Sequence, residues 1–432
     1  RAAMSIPTMK TEPVVRRTRS VCPVCLAPIP AALVQTGAEI WMEKRCLEHG
    51  FFRVPVWRGK LDYGTWVSGA KELAPDEGLS CPGACGLCAE HQRATCCSLL
   101  EVTNRCNLRC SFCFAHGAER DAQPSLESLK SAVADLMERC GKPLLQLSGG
   151  EPTMRDDLPE LTRYARSLGC EHIQLNTNGI RLAQEPDYAR ALRDAGVSII
   201  FLQFDALDNA AYKVLRARPL LELKKRAIAV CDALKMGVTL VPTVVRSVND
   251  DQLGALLHFA AENVPAVRGV HLQPVSYFGR IPKRPDPAAR ITLDELIWML
   301  CEQTGLPADC FLPSRCDHPM CGFHAQLLVE PQGGIRPLLR ETSSGCNTTA
   351  AQNRAYIARR WERRDEAEST SEGSFEDFIR MMRQRSLTLT AMAFQDAENL
   401  DIERLRRCSL HVYHDGKVRP FCANYLTAMP ES

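Results

Sequence analysis

A chain of 432 residues, 45% of them hydrophobic, is long enough for two or three domains and a large core. A formal charge of +2 gives no bulk reason to expect nucleic acid. No apolar run approaches the roughly 18 residues that cross a membrane, and no apolar stretch near the start marks a secretory signal.

The outlier is 21 cysteines. Their grouping as C-x2-C and C-x3-C-x2-C, with no export signal, points to metal rather than disulfides and to a reducing, cytoplasmic setting. In chain order, residues 1–20 are polar and basic and read as a flexible arm; the chain begins at Arg1, so Met4 is expected to lie nearer the natural start. Residues 1–60 form a small first unit, with Cys22 and Cys25 followed by Cys46 and His49. That Cys3His set suits one tetrahedral zinc, or iron in a rubredoxin-like knuckle, and the metal would hold together a unit too small for its own core. Residues 61–97 are loop-rich and carry Cys81, Cys85, Cys88 and Cys96, four thiolates suited to a closed [4Fe–4S] cluster. Zinc is the alternative there, and Cys97 competes with Cys96.

Over residues 98–290 apolar strand-like runs alternate with amphipathic helix-like runs, the pattern of βα units on a parallel sheet. Strands are predicted at 99–103, 144–148, 172–177, 198–205, 237–245 and 267–275, and helices near 125–140, 157–168, 187–195, 220–236 and 251–262. Six such units predict an α/β fold with a partial (β/α)6, TIM-like barrel. Residues 291–432 form a C-terminal cluster domain. It opens with a helix capped by Thr292 and Glu295. Cys316, Cys321, Cys408 and Cys422 make a further four-thiolate set, with Cys310 or Cys346 able to replace a member. The charged stretch 350–407 reads as helical, and 411–421 as a hairpin turning at His414-Asp-Gly416. Cys140, Cys170, Cys231 and Cys301 fall in helical runs or at their ends and read as small core residues.

The chemistry lies after the first core strand, in Cys106-Asn-Leu-Arg-Cys110-Ser-Phe-Cys113. A [4Fe–4S] cluster normally takes four thiolates. Three in one loop leave an iron for a ligand that is not protein, the arrangement of an enzyme that chelates S-adenosylmethionine (SAM) and cleaves it to a 5′-deoxyadenosyl radical. Cys106, Cys110 and Cys113 are therefore the catalytic candidates. Ser148 closes the second strand and Gly149, Gly150 and Glu151 follow it; Asn176 and Asn178 end the third, and Gln203 and Asp205 the fourth. They gather where βα loops converge, and are the candidates for contacting SAM. Ordinary turn chemistry is the alternative for each. Pro274 and Val275 are placed to flank adenine.

With these blocks in order, the chain resembles the radical SAM group that contains archaeal tetraether lipid synthase and the class D, pterin-directed methylases. The resemblance runs from residue 21 to 426 and also takes in Gln203-Phe-Asp205 and Pro420-Phe-Cys422. It implies a SAM-binding cluster, one or two auxiliary [4Fe–4S] clusters, a mononuclear metal, and a reductant such as ferredoxin or flavodoxin. The activity expected first is radical coupling of lipid tails through a new C–C bond, which would bring peripheral membrane contact. The alternative is C-methylation of a pterin-like heterocycle, a small-molecule substrate. A non-catalytic iron–sulfur electron carrier is the reading from another class.

Overall fold

A computed structural model describes residues 13–68, 81–83, 86–115, 123–281, 285–314, 316–338, 349–363 and 375–430. Cys85 and Cys346 lie outside the described residues. Four strands open the structure: β1 (Val14–Val21), β2 (Pro28–Thr36), β3 (Glu39–Cys46) and β4 (Gly50–Trp57). They pair in chain order, all antiparallel. Residues 14–20, expected as part of a flexible arm, are instead the first strand. Its side chains reach the C-terminal part of the chain: Arg16 pairs with Asp401 and Glu403, and Thr18 Oγ1 donates to Asp401 Oδ1 at 2.7 Å, while Arg17 is exposed.

The second sheet is built on β5 (Cys97–Thr103), β6 (Leu144–Gly149), β7 (Ile173–Thr177), β8 (Ile199–Gln203), β9 (Gly237–Val241), the short β10 (Thr243–Val244) and β11 (Val267–Pro274). It continues in β12 (Leu312–Pro313), β13 (Gly322–Val329), β14 (Ile335–Pro337), β15 (Ser386–Met392), β16 (Leu410–His414) and β17 (Lys417–Pro420). The order is β12-β13-β15-β11-β9-β8-β7-β6-β5-β16-β17. From β5 to β11 neighbours are parallel, and β15 and β16 extend the parallel run on either side. Helices Leu126–Cys140, Leu158–Ser167, Pro186–Ala195, Leu221–Ala233 and Leu253–Glu262 connect these strands, each within a few residues of its expected place.

The pleat sorts side chains by period two. One set is aliphatic and buried in a single continuous core: Leu100 and Val102 on β5, Leu145 and Leu147 on β6, Ile200 and Leu202 on β8, Val270 and Leu272 on β11. The alternate set lines a cavity.

The stretch 350–407 departs from expectation. Helices Ala350–Trp361 and Phe375–Arg385 are present, but β15 follows at once. Its Leu387, Leu389 and Ala391 are buried in alternation, a strand pattern that the arginines just before it mask. Short helices Ile180–Gln184 and Asn209–Arg216 were also not expected. The capping box at Thr292 and Glu295 and the C-terminal hairpin are both present. Among the described residues no helix is long and apolar enough to cross a membrane.

Candidate active site and metal centres

A cavity of about 360 Å³ runs along the inward-facing set of the large sheet. Leu99, Gln146, Ser148, Asn176, Phe201, Gln203, His271, Gln273 and Thr390 face it from six strands. A packed barrel would carry branched aliphatic residues there; here carboxamides and aromatic rings stand in their place. Cys106, Cys110 and Cys113 line one end, beyond the C-terminal end of β5.

The cysteine loop is held from every side. Thr103 O accepts from Gly150 N at 2.8 Å, and Arg105 O from Glu151 N at 2.7 Å. A Cβ on Gly149 would lie 2.3 Å from Thr103 O, and one on Gly150 2.2 Å from Arg105 O. The two glycines therefore answer first to backbone close approach, which stitches the loop to β6. Asn178 Nδ2 donates to Asn107 Oδ1 at 2.7 Å, tying the loop to β7. Arg280 donates to Cys110 O through Nη1 and to Cys113 O through its backbone N–H, each at 3.0 Å.

Glu151 lines the cavity, yet its carboxylate is fully engaged: it accepts from Thr153 N (3.1 Å), Thr153 Oγ1 (2.6 Å), Thr177 Oγ1 (2.6 Å) and Asn178 N (2.7 Å). It locks the ends of β6 and β7. Ser148, Gly149, Gly150, Asn176, Asn178 and Gln203 also reach the cavity, as do Pro274 and Val275. Asp205 is not among the lining residues. It is completely buried and grips Arg216, which donates to it through Nε at 2.8 Å and Nη2 at 2.6 Å.

Arg216 is the residue that sequence reasoning missed. It lines the cavity, donates to Thr243 Oγ1 at 2.9 Å and reaches the Cys110 sulfur. A buried guanidinium there offsets the negative charge of thiolates. Burial pushes the Cys106 thiol up to about 12, so without a metal it stays protonated at neutral pH. Iron reverses that, because a coordinating thiol is deprotonated outright. Three convergent sulfurs beside a buried cation fit a cluster with three protein ligands.

The small domain holds the mononuclear site. The donor atoms of Cys22, Cys25, Cys46 and His49 all lie within 4.8 Å of one another. His49 Nδ1 is 3.7 Å from Cys22 Sγ and 3.5 Å from Cys46 Sγ. The His49 contact holds the Cys46 thiol down to about 6, ready to ligate. This is a closed tetrahedral donor set.

The remaining thiols divide differently from their order in the sequence. Cys96 does not sit with Cys81 and Cys88, which pack with Cys422 in a separate apolar cluster. The Cys96 sulfur touches Cys316, and Cys97 Sγ donates to it at 3.8 Å. Cys321, Cys408 and Cys422 lie within electrostatic reach of one another, with Arg404 bonded to the Cys321 thiol. Sequence spacing could not foresee this exchange, because long-range strand pairing assembles both groups. Of the four cysteines read as core residues, Cys170 and Cys231 are almost wholly buried and Cys140 and Cys301 are half-buried.

The Radical SAM superfamily profile matches residues 100–260, and that of the HMPTM N-terminal zinc ribbon domain matches residues 14–58. A 7,8-dihydro-6-hydroxymethylpterin dimethyltransferase of Methanocaldococcus jannaschii is 31% identical over 94% of this chain and 92% of its own length. A GTP 3′,8-cyclase of Rhodopirellula baltica is 28% identical over 57% of this chain and 78% of its own. Among solved structures, Streptococcus suis SuiB bound to S-adenosylmethionine is 17% identical, with a TM-score of 0.38 over 45% of this chain and 44% of that one.

Proposed function

The chain belongs to the radical SAM superfamily, and from that premise we propose that it methylates carbon on a pterin-like fused nitrogen heterocycle. It is a radical SAM enzyme that takes SAM, a [4Fe–4S] cluster and a mononuclear metal. When bound, SAM and its cluster supply a 5′-deoxyadenosyl radical able to abstract hydrogen from an unactivated carbon, a bond that acid–base chemistry cannot open. Cys106, Cys110 and Cys113 would hold that cluster. Gly149, Gly150 and Asn178 brace their loop, and Arg216 offsets its charge. Ser148, Asn176 and Gln203, at the ends of adjoining strands, are placed to orient SAM. We read the parallel run β5 to β11 as the partial (β/α)6 barrel that encloses them.

The observation that carries the substrate reading is the near full-length match to a relative named for a hydroxymethylpterin. The cavity agrees with it. Gln146, Asn176, Gln203 and Gln273 form a belt of neutral carboxamides across four strands. A carboxamide carries both a donor and an acceptor, as the edge of a pterin requires. Asn176 and Gln203 already bond to Gln174 and Lys224 and turn toward SAM, which leaves Gln146 and Gln273 as the members set to meet the substrate. Lipid coupling, placed first on sequence grounds, falls to second place. One observation still favours it: Leu99, Phe112, Phe114, Phe201, Phe278 and Trp361 give much of the wall an apolar surface.

Deuterium tracing separates the two. Reduced, cluster-loaded enzyme is incubated with SAM and either deuterated hydroxymethylpterin or deuterated lipid tails. Label passing from the pterin into 5′-deoxyadenosine, with a methylated pterin formed once a one-carbon donor is supplied, supports the proposal. Label arriving only from lipid sinks it, as does 5′-deoxyadenosine that carries no label from the pterin.

A further inference from the structure

The cavity has two cysteine-lined ends. Cys96 and Cys97 stand at the start of β5, and Cys106 follows its far end; the strand from Cys97 to Thr103 spans about 20 Å at roughly 3.3 Å per step. Cys316 lines the same end as Cys96 and Cys97. These three sulfurs are 1%, 9% and 3% exposed by residue. Asn353 Nδ2 donates to Cys96 Sγ at 3.1 Å, and the Cys316 thiol bonds to Ser409. Ser314, Asp317 and Leu410 complete this end of the wall. Cys321, Cys408 and Cys422 do not line the cavity. They are grouped behind it around Arg404.

We propose that Cys96 and Cys316, with Cys97 beside them, hold an iron–sulfur site that faces the substrate cavity from the N-terminal ends of the strands. Cys321, Cys408 and Cys422 belong to a second site outside the cavity. The ligand sets thus cross the blocks in which the cysteines occur along the chain. Buried thiols in contact, with an amide N–H aimed at one sulfur, are what an iron–sulfur site requires of its surroundings, since hydrogen bonds to sulfur set its potential. A disulfide would join two of the three sulfurs and give that amide no comparable role. Substrate held in the cavity would lie between the SAM-binding loop and the Cys96 and Cys316 site. The proposal rests on the cofactor class and not on the pterin reading, and its readouts are iron and spectra rather than methylation.

The test uses full-length protein, loaded with clusters under anaerobic conditions. Iron per chain and Mössbauer spectra are recorded for Cys96→Ser, Cys316→Ser and Cys422→Ser, and for the Cys96/Cys316 and Cys316/Cys422 double variants. Either of the first two substitutions should remove the same cluster, about four irons, and combining them should remove no more. The Cys316/Cys422 pair should lose two clusters. If Cys316→Ser and Cys422→Ser remove one and the same cluster, and their combination no more, the assignment is overturned. Retention of the Cys22–His49 metal marks a folded variant. As a gentler check, Asn353→Leu should keep all the iron and shift the reduction potential of the cluster that Cys316→Ser deletes. Loss of no signal in Cys316→Ser, or an unshifted potential in Asn353→Leu, counts against the proposal.

Discussion

At one end of the cavity, Cys106, Cys110 and Cys113 arrive in a single loop. At the other, Cys96 and Cys316 come from the two flanks of the core and meet only because β13 joins the sheet through β15 while Cys96 leads into β5. The electrostatics differ as well. The loop has Arg216 against Cys110, whereas the side chains described against the Cys96 sulfur are neutral: the amide of Asn353 and the thiols of Cys97 and Cys316. Local assembly beside a buried cation suits a centre that must bind SAM and pass an electron to it. Long-range assembly, with a neutral amide on the sulfur, suits a site whose existence depends on the finished fold. The sharpest break of this comparison is Cys110→Ala. Formation of 5′-deoxyadenosine should fall to background while the Cys96 and Cys316 site keeps its iron. Loss of both centres together would mean that the two ends are not independent.

Next in size is the small domain, which stands apart from both ends. Cys46→Ser removes one of four ligands from a unit whose metal supplies much of its folding free energy, on the order of 10 kcal/mol for comparable structural zinc sites. Residues 14–58 should become sensitive to protease. The attachments of this unit to the rest of the chain, Arg16 to Asp401 and Glu403 and Lys44 Nζ to Ala397 O at 2.8 Å, should be lost with it. Formation of 5′-deoxyadenosine per SAM cluster should survive, as measured on the intact chain. Resistance of residues 14–58 to protease would refute the structural role of the metal.

Much of this was legible in the sequence, for particular reasons. The core strands are short apolar runs, such as Leu144 to Leu147 and Ile199 to Leu202, set between amphipathic helical runs, so the βα order announces itself. The Cys106 loop announces itself because its ligands are close together. What stayed hidden was whatever depends on partners far along the chain. β15 is a clean alternation at Leu387, Leu389 and Ala391, but it follows Arg380, Arg383 and Arg385, and the charge of the whole window pointed to helix. Asp205 was visible as a polar residue at a strand end. Only the fold reveals that its carboxylate is spent on Arg216, so that the guanidinium faces the cavity in its place.

That pair supplies the third test. Arg216→Met leaves the Asp205 carboxylate buried without its cation, a change that typically costs about 3–5 kcal/mol. Asp205→Asn added to Arg216→Met should recover part of the loss, because it removes the stranded charge. Denaturation of the cluster-loaded protein measures both. The comparison between the two ends predicts more than stability: Arg216→Met should shift the potential of the SAM-binding cluster and leave the other centres unmoved. Arg404→Met should do the converse, altering the Cys321, Cys408 and Cys422 site alone. Equal shifts at all sites would erase the distinction.

The smallest effect bears on the space between the ends. Gln273 faces the cavity from β11, on the side away from the Glu151 lock, and completes the carboxamide belt. Gln273→Leu keeps the side chain's approximate volume and removes one donor and one acceptor. A hydrogen bond to a neutral partner contributes about 1 kcal/mol net, and leaving a polar group of the substrate unpaired costs somewhat more. The KM for a pterin substrate should therefore rise about tenfold, while kcat and uncoupled SAM cleavage hold steady. A hydrocarbon chain makes no such bond, so a lipid substrate would bind Gln273→Leu as well as the parent or better. The direction of that one KM thus decides which wall of the cavity reads the substrate, the amides or the aromatic rings.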